Sequence, residues 1–241
     1  MAIHLISDLH LHPGEPWLGQ LFTRTLADWR GNIDALYILG DLFEYWVGDD
    51  DDEPFTRDML AQMRHFAAQT PLYVLRGNRD FLLGAGFAAA SGATLLDEPH
   101  TLTICGQPYV LVHGDGQCTD DAAYQQFRAM VRQPAWQAAF LQKPLAERHA
   151  IAQQIRTMSE AKKQSDGLTD IGDVNDDAIR ALLAAHPGAT LIHGHTHRPA
   201  SHTLLLDGVP RQRWVIADWY AGHGGYLRLD EHGVSAHPLS L

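Results

Sequence analysis

The sequence predicts an α/β protein whose sheets are layered against helices and interrupted by a helical insertion. Three observations predict it. Short apolar runs rich in β-branched and aromatic residues recur along the chain. The early runs alternate with stretches of helical spacing. One alanine-rich segment, residues 124–163, breaks that alternation.

In chain order, residues 3–6 read as the first strand and 18–29 as a helix with apolar residues three and four apart. Residues 35–39 form the second strand. The run DDDDE, Asp49 to Glu53, reads as a solvated acidic loop leading into a helix near Pro54, with helical spacing over 56–68. Residues 72–75, 109–112 and 190–192 complete a set of five buried strands. Residues 201–206, 213–217 and 225–229 look like antiparallel strands of a second sheet. No internal repeat or low-complexity linker separates these segments.

Bulk properties narrow the function. A chain of 241 residues, 45% hydrophobic and 20% charged, has the composition of an ordinary globular protein with a substantial core. Its net charge of -11 argues against non-specific nucleic-acid binding, which depends on Lys and Arg displacing counterions. Carboxylates gathered around a metal would add to that count, so phosphate substrates stay open. Fifteen histidines are the unusual feature. Two cysteines, Cys105 and Cys118, have no zinc-knuckle or disulfide spacing, and a reducing compartment is expected. No basic and apolar leader precedes Asp8, and no apolar stretch approaches membrane-spanning length.

Each of the five apolar runs stops at residues able to hold a metal. These are DLH (Asp8, His10), GDLFE (Asp41), GNRD (Asn78, Arg79, Asp80), HGD (His113, Asp115) and HGHTHR (His193, His195, His197). In α/β sheets, ligands gather outside the carboxyl ends of the strands, so five such ends converge on one place. Side-chain alternation with period two predicts that Asp8 and His10 point the same way, as do His195 and His197. Flanking glycines permit the close approach a crowded ion site demands. Oxygen and imidazole donors without thiolate suit Mn, Fe, Co or Zn. Seven such residues are too many for one ion with an open position and suit two ions about 3.5–4 Å apart. His193 reads as a packing residue, Asp115 and Asp80 as groups that orient the site, and His4, His12, His65 and His100 as surface or turn histidines.

The ordered set D-x-H, GD, GNRD, HGD, GHTH resembles the calcineurin-like metallophosphoesterase superfamily across the whole catalytic domain. That resemblance implies a layered β-sandwich flanked by helices. It implies Asp8, His10, Asp41 and His197 at one metal, and Asp41, Asn78, His113 and His195 at the other, with Asp41 as the bridge. The stretches SDLHL, ALYILGDLFEYWVGDDD, RGNRDFLLG, HGDGQCTDDAAYQQFR, DVN and IHGHTHRPA resemble, more narrowly, the UDP-2,3-diacylglucosamine pyrophosphohydrolase family of lipid A biosynthesis. This second likeness implies a core of residues 1–123 and 164–241 with a helical cap inserted over 124–163. It implies two Mn2+ per chain and attack of activated water on the α-phosphorus of UDP-2,3-diacylglucosamine, giving UMP and lipid X. Asn78, Arg79 and His195 would meet the phosphate, and Asp121, Ser159 and Lys163 the glucosamine end, with Tyr124 and Arg156 as further candidates. The chain departs from the family pattern at Gln164, Ser165 and Asp166, where a second family lysine would stand.

In the insertion, Trp136, Phe140, Leu141, Leu145, Ile151 and Ile155 are interleaved with Lys143, Arg148, Arg156, Lys162 and Lys163. Read alone, this is either a helical hairpin with a solvated basic face or a groove for acyl chains. The family likeness favours the groove, and a basic amphipathic surface suits anionic lipid at the cytoplasmic face of the inner membrane, as a peripheral contact. No obligate protein partner is expected. A phosphoesterase for small soluble nucleotides would not need the groove, and a non-catalytic scaffold would not need seven ligands.

Overall fold

The first three apolar runs lie side by side. In the computed structural model, which describes residues 2–166 and 173–241, with side chains for 2–158 and 173–241, β1 (Ile3–Ile6), β2 (Ala35–Leu39) and β3 (Leu72–Leu75) pair in parallel. The two-residue β4 (Thr94–Leu95) extends the sheet beyond β3. On the other side β1 pairs antiparallel with β10 (His223–Asp230), which pairs with β11 (Gly233–Ser240). A second sheet has the order β5 (His100–Ile104), β6 (Gln107–Leu111), β7 (Thr190–His193), β9 (Val209–Val215), β8 (Ala200–Leu206). Strands β6, β7 and β9 run parallel and the two edge strands antiparallel. The sequence expectation therefore needs two corrections: the segment at 225–229 joins the first sheet rather than the second, and the segment at 213–217 contributes a parallel strand.

Alternation along the strands builds three apolar layers. On β2, Tyr37 and Leu39 face inward with Leu5, Leu111 and Ile192 to fill the space between the sheets. Leu36 and Ile38 face outward onto α1 (Pro16–Trp29) and α2 (Pro54–Ala67), where Phe22, Leu26, Met63 and Phe66 meet them. On the far side, Val110 and Leu191 pack against Ile179 and Leu183 of α7 (Asp176–Ala185). Strands covered on both faces have no polar side to show, which is why they read as continuous apolar runs. The short α3 (Ala85–Ser91) caps the β3 end of the outer layer.

Between β6 and α7 the described residues form three α-helices, α4 (Ala122–Val131), α5 (Pro134–Leu141) and α6 (Leu145–Asp166). Their inner face is apolar: Phe140 is buried, stacked on Trp136 at 5.1 Å and 11°. Leu145, Ile151 and Ala152 pack against the outer core of the first sheet, while Leu141, Ile155 and Met158 are exposed. Arg148 is not on a solvated basic face. It is 2% exposed, and its guanidinium donates to the Val47 carbonyl at 2.7 Å and makes a two-point contact with Asp50.

The acidic run is an exposed loop leading into α2 at Pro54, as expected, but most of its carboxylates have partners. Asp49 accepts from Trp46 Nε1 and from the amides of Gly84 and Gly86; Asp51 lies 3.0 Å from His149 Nε2; Glu53 caps α2 through the Thr56 amide. Two of its carboxylates, Asp50 and Asp51, thus tie the insertion to the core, while Asp49 and Glu53 order the loop itself. A further correction concerns His4. It is 5% exposed, in edge contact with Trp29 at 4.4 Å and beside Tyr226 at 4.5 Å, and burial with Arg228 nearby pushes its imidazole down to about 4.

Replacing Arg148 by alanine is expected to lower stability by about 2 kcal/mol, since charged hydrogen bonds contribute roughly 1.5–3 kcal/mol each. Arg148→Lys should recover little, because an ammonium cannot reproduce a two-point contact; chemical denaturation of the three proteins decides. His4 binds its proton more weakly folded than unfolded, so its contribution to stability is lost as pH falls from about 6.5 toward 4. His4→Phe should flatten that part of the melting temperature profile.

Candidate metal centre and active site

The two sheets present the carboxyl ends of β1, β2, β3, β6 and β7 at one rim, and the expected ligands all lie just beyond those ends. The pairing of β1 with β2 continues past the strands: the Asp8 amide donates to the Gly40 carbonyl, His10 to that of Asp41, and Leu11 to that of Leu42. These are not extended residues. Asp8, His10, Asp41, His195 and His197 all have φ between 50° and 66°. Period-two alternation therefore does not orient them; left-handed backbone turns do. For non-glycine residues such turns cost about 1–3 kcal/mol each and persist only where the surroundings enforce them. Close approach supplies the enforcement. A Cβ on Gly77 would stand 2.1 Å from Asp41 Oδ1, and one on Gly194 would stand 2.2 Å from Asp8 Oδ2.

Two groups of donor atoms result. Asp8, His10 and His197 each offer an atom within 4.8 Å of the others, and so do Asp41, His113 and His195. Asn78 Oδ1 joins the second group, 2.9 Å from His113 Nε2. The groups abut, because the His195 amide donates to Asp8 Oδ2 at 2.8 Å.

The imidazoles are turned so that Nε2 faces inward. His113 Nδ1 donates to the Leu39 carbonyl at 2.8 Å. Glu44 Oε2 lies 3.1 Å from His10 Nδ1, and Asp218 Oδ2 lies 3.1 Å from His197 Nδ1. An acceptor at Nδ1 keeps the proton there and leaves the Nε2 lone pair for a ligand. The inward atoms face one another closely: His10 and His197 Nε2 are 3.4 Å apart, and His113 Nε2 stands 3.6 Å from Asp41 Oδ1. Asp8 Oδ1 is buried without a hydrogen-bond donor.

The electrostatics agree. Burial works against protonation of His113, yet Asp41, Asp8, Asp115 and Glu98 outweigh it and raise its imidazole to about 9. His197 is likewise raised to about 10, against burial, by Asp218 and Asp8. Burial and His113 together push His195 down to about 4. This is a cluster of oxygen and nitrogen acceptors starved of positive charge, and the donor set fits divalent transition metals.

Supporting groups surround it. Asp80 accepts from the amides of Gly77, Leu42 and Asp41, fixing the GNRD turn against the GD turn; burial and Asp41 raise its carboxyl to about 6. Asp115 points away from the centre and accepts from Tyr124 Oη, Arg128 Nε and Arg132 Nη2. His193 donates Nδ1–H to the Gly194 carbonyl and accepts from Arg213, so burial and that cation push it down to about 3.

Of the expected substrate residues, Arg79 reaches toward Glu44, its Nη1 3.6 Å from Oε1. Asp121 caps α4 by accepting from the Tyr124 amide. The Tyr124 ring stacks 6.3 Å from His195, and Arg156 Nε lies 3.0 Å from Glu44 Oε1. The side chains of Ser159 and Lys163, and those of Gln164 to Asp166, lie outside the described residues. Glu44, Glu98, Asp218, Arg128 and Arg132 were not anticipated. Glu44 alone carried a signal, standing three residues after Asp41 in GDLFE.

Because ligands that bind only the folded state raise its stability, Mn2+ added to chelator-treated protein should raise the melting temperature in a concentration-dependent way. Asp8→Asn and Asp41→Asn should each abolish most of that rise, as read by differential scanning fluorimetry. An identical rise in both variants would mean the cations bind elsewhere.

The pattern for calcineurin-like phosphoesterases matches residues 1–199. A protein of Chromobacterium violaceum named UDP-2,3-diacylglucosamine hydrolase is 66% identical over 239 residues, covering 99% of both chains. Proteins of the same name from Chromohalobacter salexigens, 44% identical over 96% of this chain and 94% of theirs, and Bordetella pertussis, 45% identical over 98% and 94%, are also similar. Matched along most of its length and through every strand end that carries a donor, the chain belongs to the calcineurin-like phosphoesterase family.

Proposed function

We propose that this chain hydrolyses the pyrophosphate bond of UDP-2,3-diacylglucosamine, giving UMP and 2,3-diacylglucosamine 1-phosphate (lipid X), a step of lipid A biosynthesis. The relatives supply the substrate. The observation that carries the chemistry is the pair of abutting donor groups, Asp8–His10–His197 and Asp41–His113–His195, at the common rim of the two sheets. In this reading they would hold two Mn2+, with Asn78 beside the second group and Asp41 shared between the ions. Divalent cations so held lower the pKa of water and neutralise charge on phosphoryl oxygens.

The chain's own residues do the rest. Arg79 and the Asn78 amide bind the pyrophosphate oxygens, and His195 contacts the phosphate as well as its metal. Water adds at the α-phosphorus, the bond from that phosphorus to the bridging oxygen breaks, and the bridging oxygen leaves with the sugar phosphate. A phosphate is a good leaving group, so no strong general acid is needed. Residues 124–163 act as the cap. The exposed Leu141, Ile155 and Met158 offer apolar surface for the acyl chains, while Asp121, Ser159 and Lys163 meet the glucosamine. No helix among the described residues is long and apolar enough to cross a membrane, and a peripheral contact at the cytoplasmic face of the inner membrane delivers the substrate.

The test is turnover of UDP-2,3-diacylglucosamine by purified protein with Mn2+, with and without chelator, followed by mass spectrometry. UMP and lipid X are expected, lost on chelation, with 18O from solvent in the UMP. Asp41→Ala should lower kcat by more than about 100-fold, corresponding to the few kcal/mol of charge stabilisation a metal supplies. Leu141→Ala and Met158→Ser should raise KM with little change in melting temperature. Phe140 is a poor probe for the groove, because it is a core residue. Turnover of a generic phosphodiester but not of the nucleotide lipid would overturn the substrate.

A further inference from the structure

Four elements meet at one carboxylate. Glu44 is 6% exposed and lies in the segment after β2. Its Oε2 is 3.1 Å from Nδ1 of His10, which follows β1. Its Oε1 is 3.0 Å from Arg156 Nε on α6 and 3.6 Å from Arg79 Nη1, which follows β3. The metal donors, the phosphate-facing arginine and the inserted helices therefore touch the same side chain.

The backbone leaves that carboxylate little choice of position. The Glu44 amide donates to the Leu11 carbonyl at 3.2 Å, pinning it to the segment that carries His10. Two residues on, the Trp46 amide donates to the Arg79 carbonyl at 3.1 Å, pinning the same segment to the GNRD turn. A buried anion facing three donors from three segments is positioned by the fold, and it positions them in return.

We infer that Glu44 is a positioning residue that aims His10 at its metal and at the same time holds Arg79 and Arg156 side by side for an anionic substrate. The two functions share one group but use different oxygens. Oε2 stands against the Nδ1 edge of the His10 ring at 3.1 Å; Oε1 gathers the two guanidiniums, which would otherwise repel each other. The helical insertion is thereby tied to the metal centre through Arg156. The metal half of this inference is independent of the proposed substrate, and the arginine half rests on it.

The test uses Glu44→Gln, which keeps shape and removes charge, and Arg156→Ala, alone and combined. Manganese affinity of chelator-treated protein is measured by calorimetry, with a melt of each metal-free protein to confirm folding. Glu44→Gln should weaken Mn2+ binding about 10-fold or more, the range for groups that orient a ligating histidine, while Arg156→Ala leaves it unchanged. At saturating Mn2+, each single variant should raise KM for the nucleotide lipid several-fold, and the double variant should fall well short of the product of the two effects. Wild-type metal affinity in a folded Glu44→Gln protein overturns the metal half, and fully multiplicative KM effects overturn the arginine half. Should the wild-type protein not hydrolyse the nucleotide lipid, the substrate reading falls while a weakened Mn2+ affinity in Glu44→Gln still supports the metal half.

Discussion

Acceptors do not pack against acceptors unless something compels them. That constraint governs the rim of this molecule, where carboxylates, an amide oxygen and imidazole nitrogens are turned toward one another and only an added proton or a metal cation relieves them. Everything nearby can be understood as compulsion. Two sheets bring five strand ends to one edge; left-handed turns aim the side chains; glycines with no room for a Cβ let Asp8 and Asp41 sit against neighbouring backbone. Behind three of the four histidines, His10, His113 and His197, stands an oxygen at Nδ1. The arrangement is unfavourable for the bare polypeptide and becomes favourable when cations enter, so folding and metal binding are parts of one energy balance.

The outer structure serves that rim. The three apolar layers give rigid platforms for the strands, and the insertion is bolted to the same platform rather than hung from its ends. Asp50 and Asp51 make the bolt, pairing with Arg148 and His149 of the insertion, while Asp49 and Glu53 order the same loop through the amides around Gly84 and at the start of α2. The run is exposed and yet partnered, a combination that a dense charge block does not announce. The insertion is thereby fastened to the loop that follows the one carrying Asp41.

Much of this was legible in the sequence, for a definite physical reason. Strands buried on both faces are continuous apolar runs, and β1, β2 and β3 were found with their observed bounds. The side chains brought together at the rim were visible because each follows such a run within a few residues. What escaped was whatever lacks a local signature. Edge strands such as β5 and β11 are half polar, and nothing in their composition separates them from loops. That the 225–229 segment joins the first sheet depends on a pairing more than two hundred residues away in sequence. Asp218 and Glu98 are single carboxylates in unremarkable surroundings, and Arg148 looks like any helical cation until Asp50 is beside it. The geometry at Asp8 and His10 was inferred for the wrong reason: the two residues do converge, but by a left-handed backbone that no pattern of apolar residues encodes.

The left-handed turns have an evolutionary consequence. Among the described residues, eight that are not glycine have positive φ, and five of them are donors at the rim. At His10 and His197, which are not buried, glycine would relieve the backbone and remove one donor, so a change that dismantles the ion site can also relax the chain. At Asp8 and Asp41 the same change would leave the His195 and Arg79 amides without their carboxylate partners. Strain and support are thus divided: the carboxylates hold the turns together, and the outer imidazoles are the members whose loss the fold would tolerate.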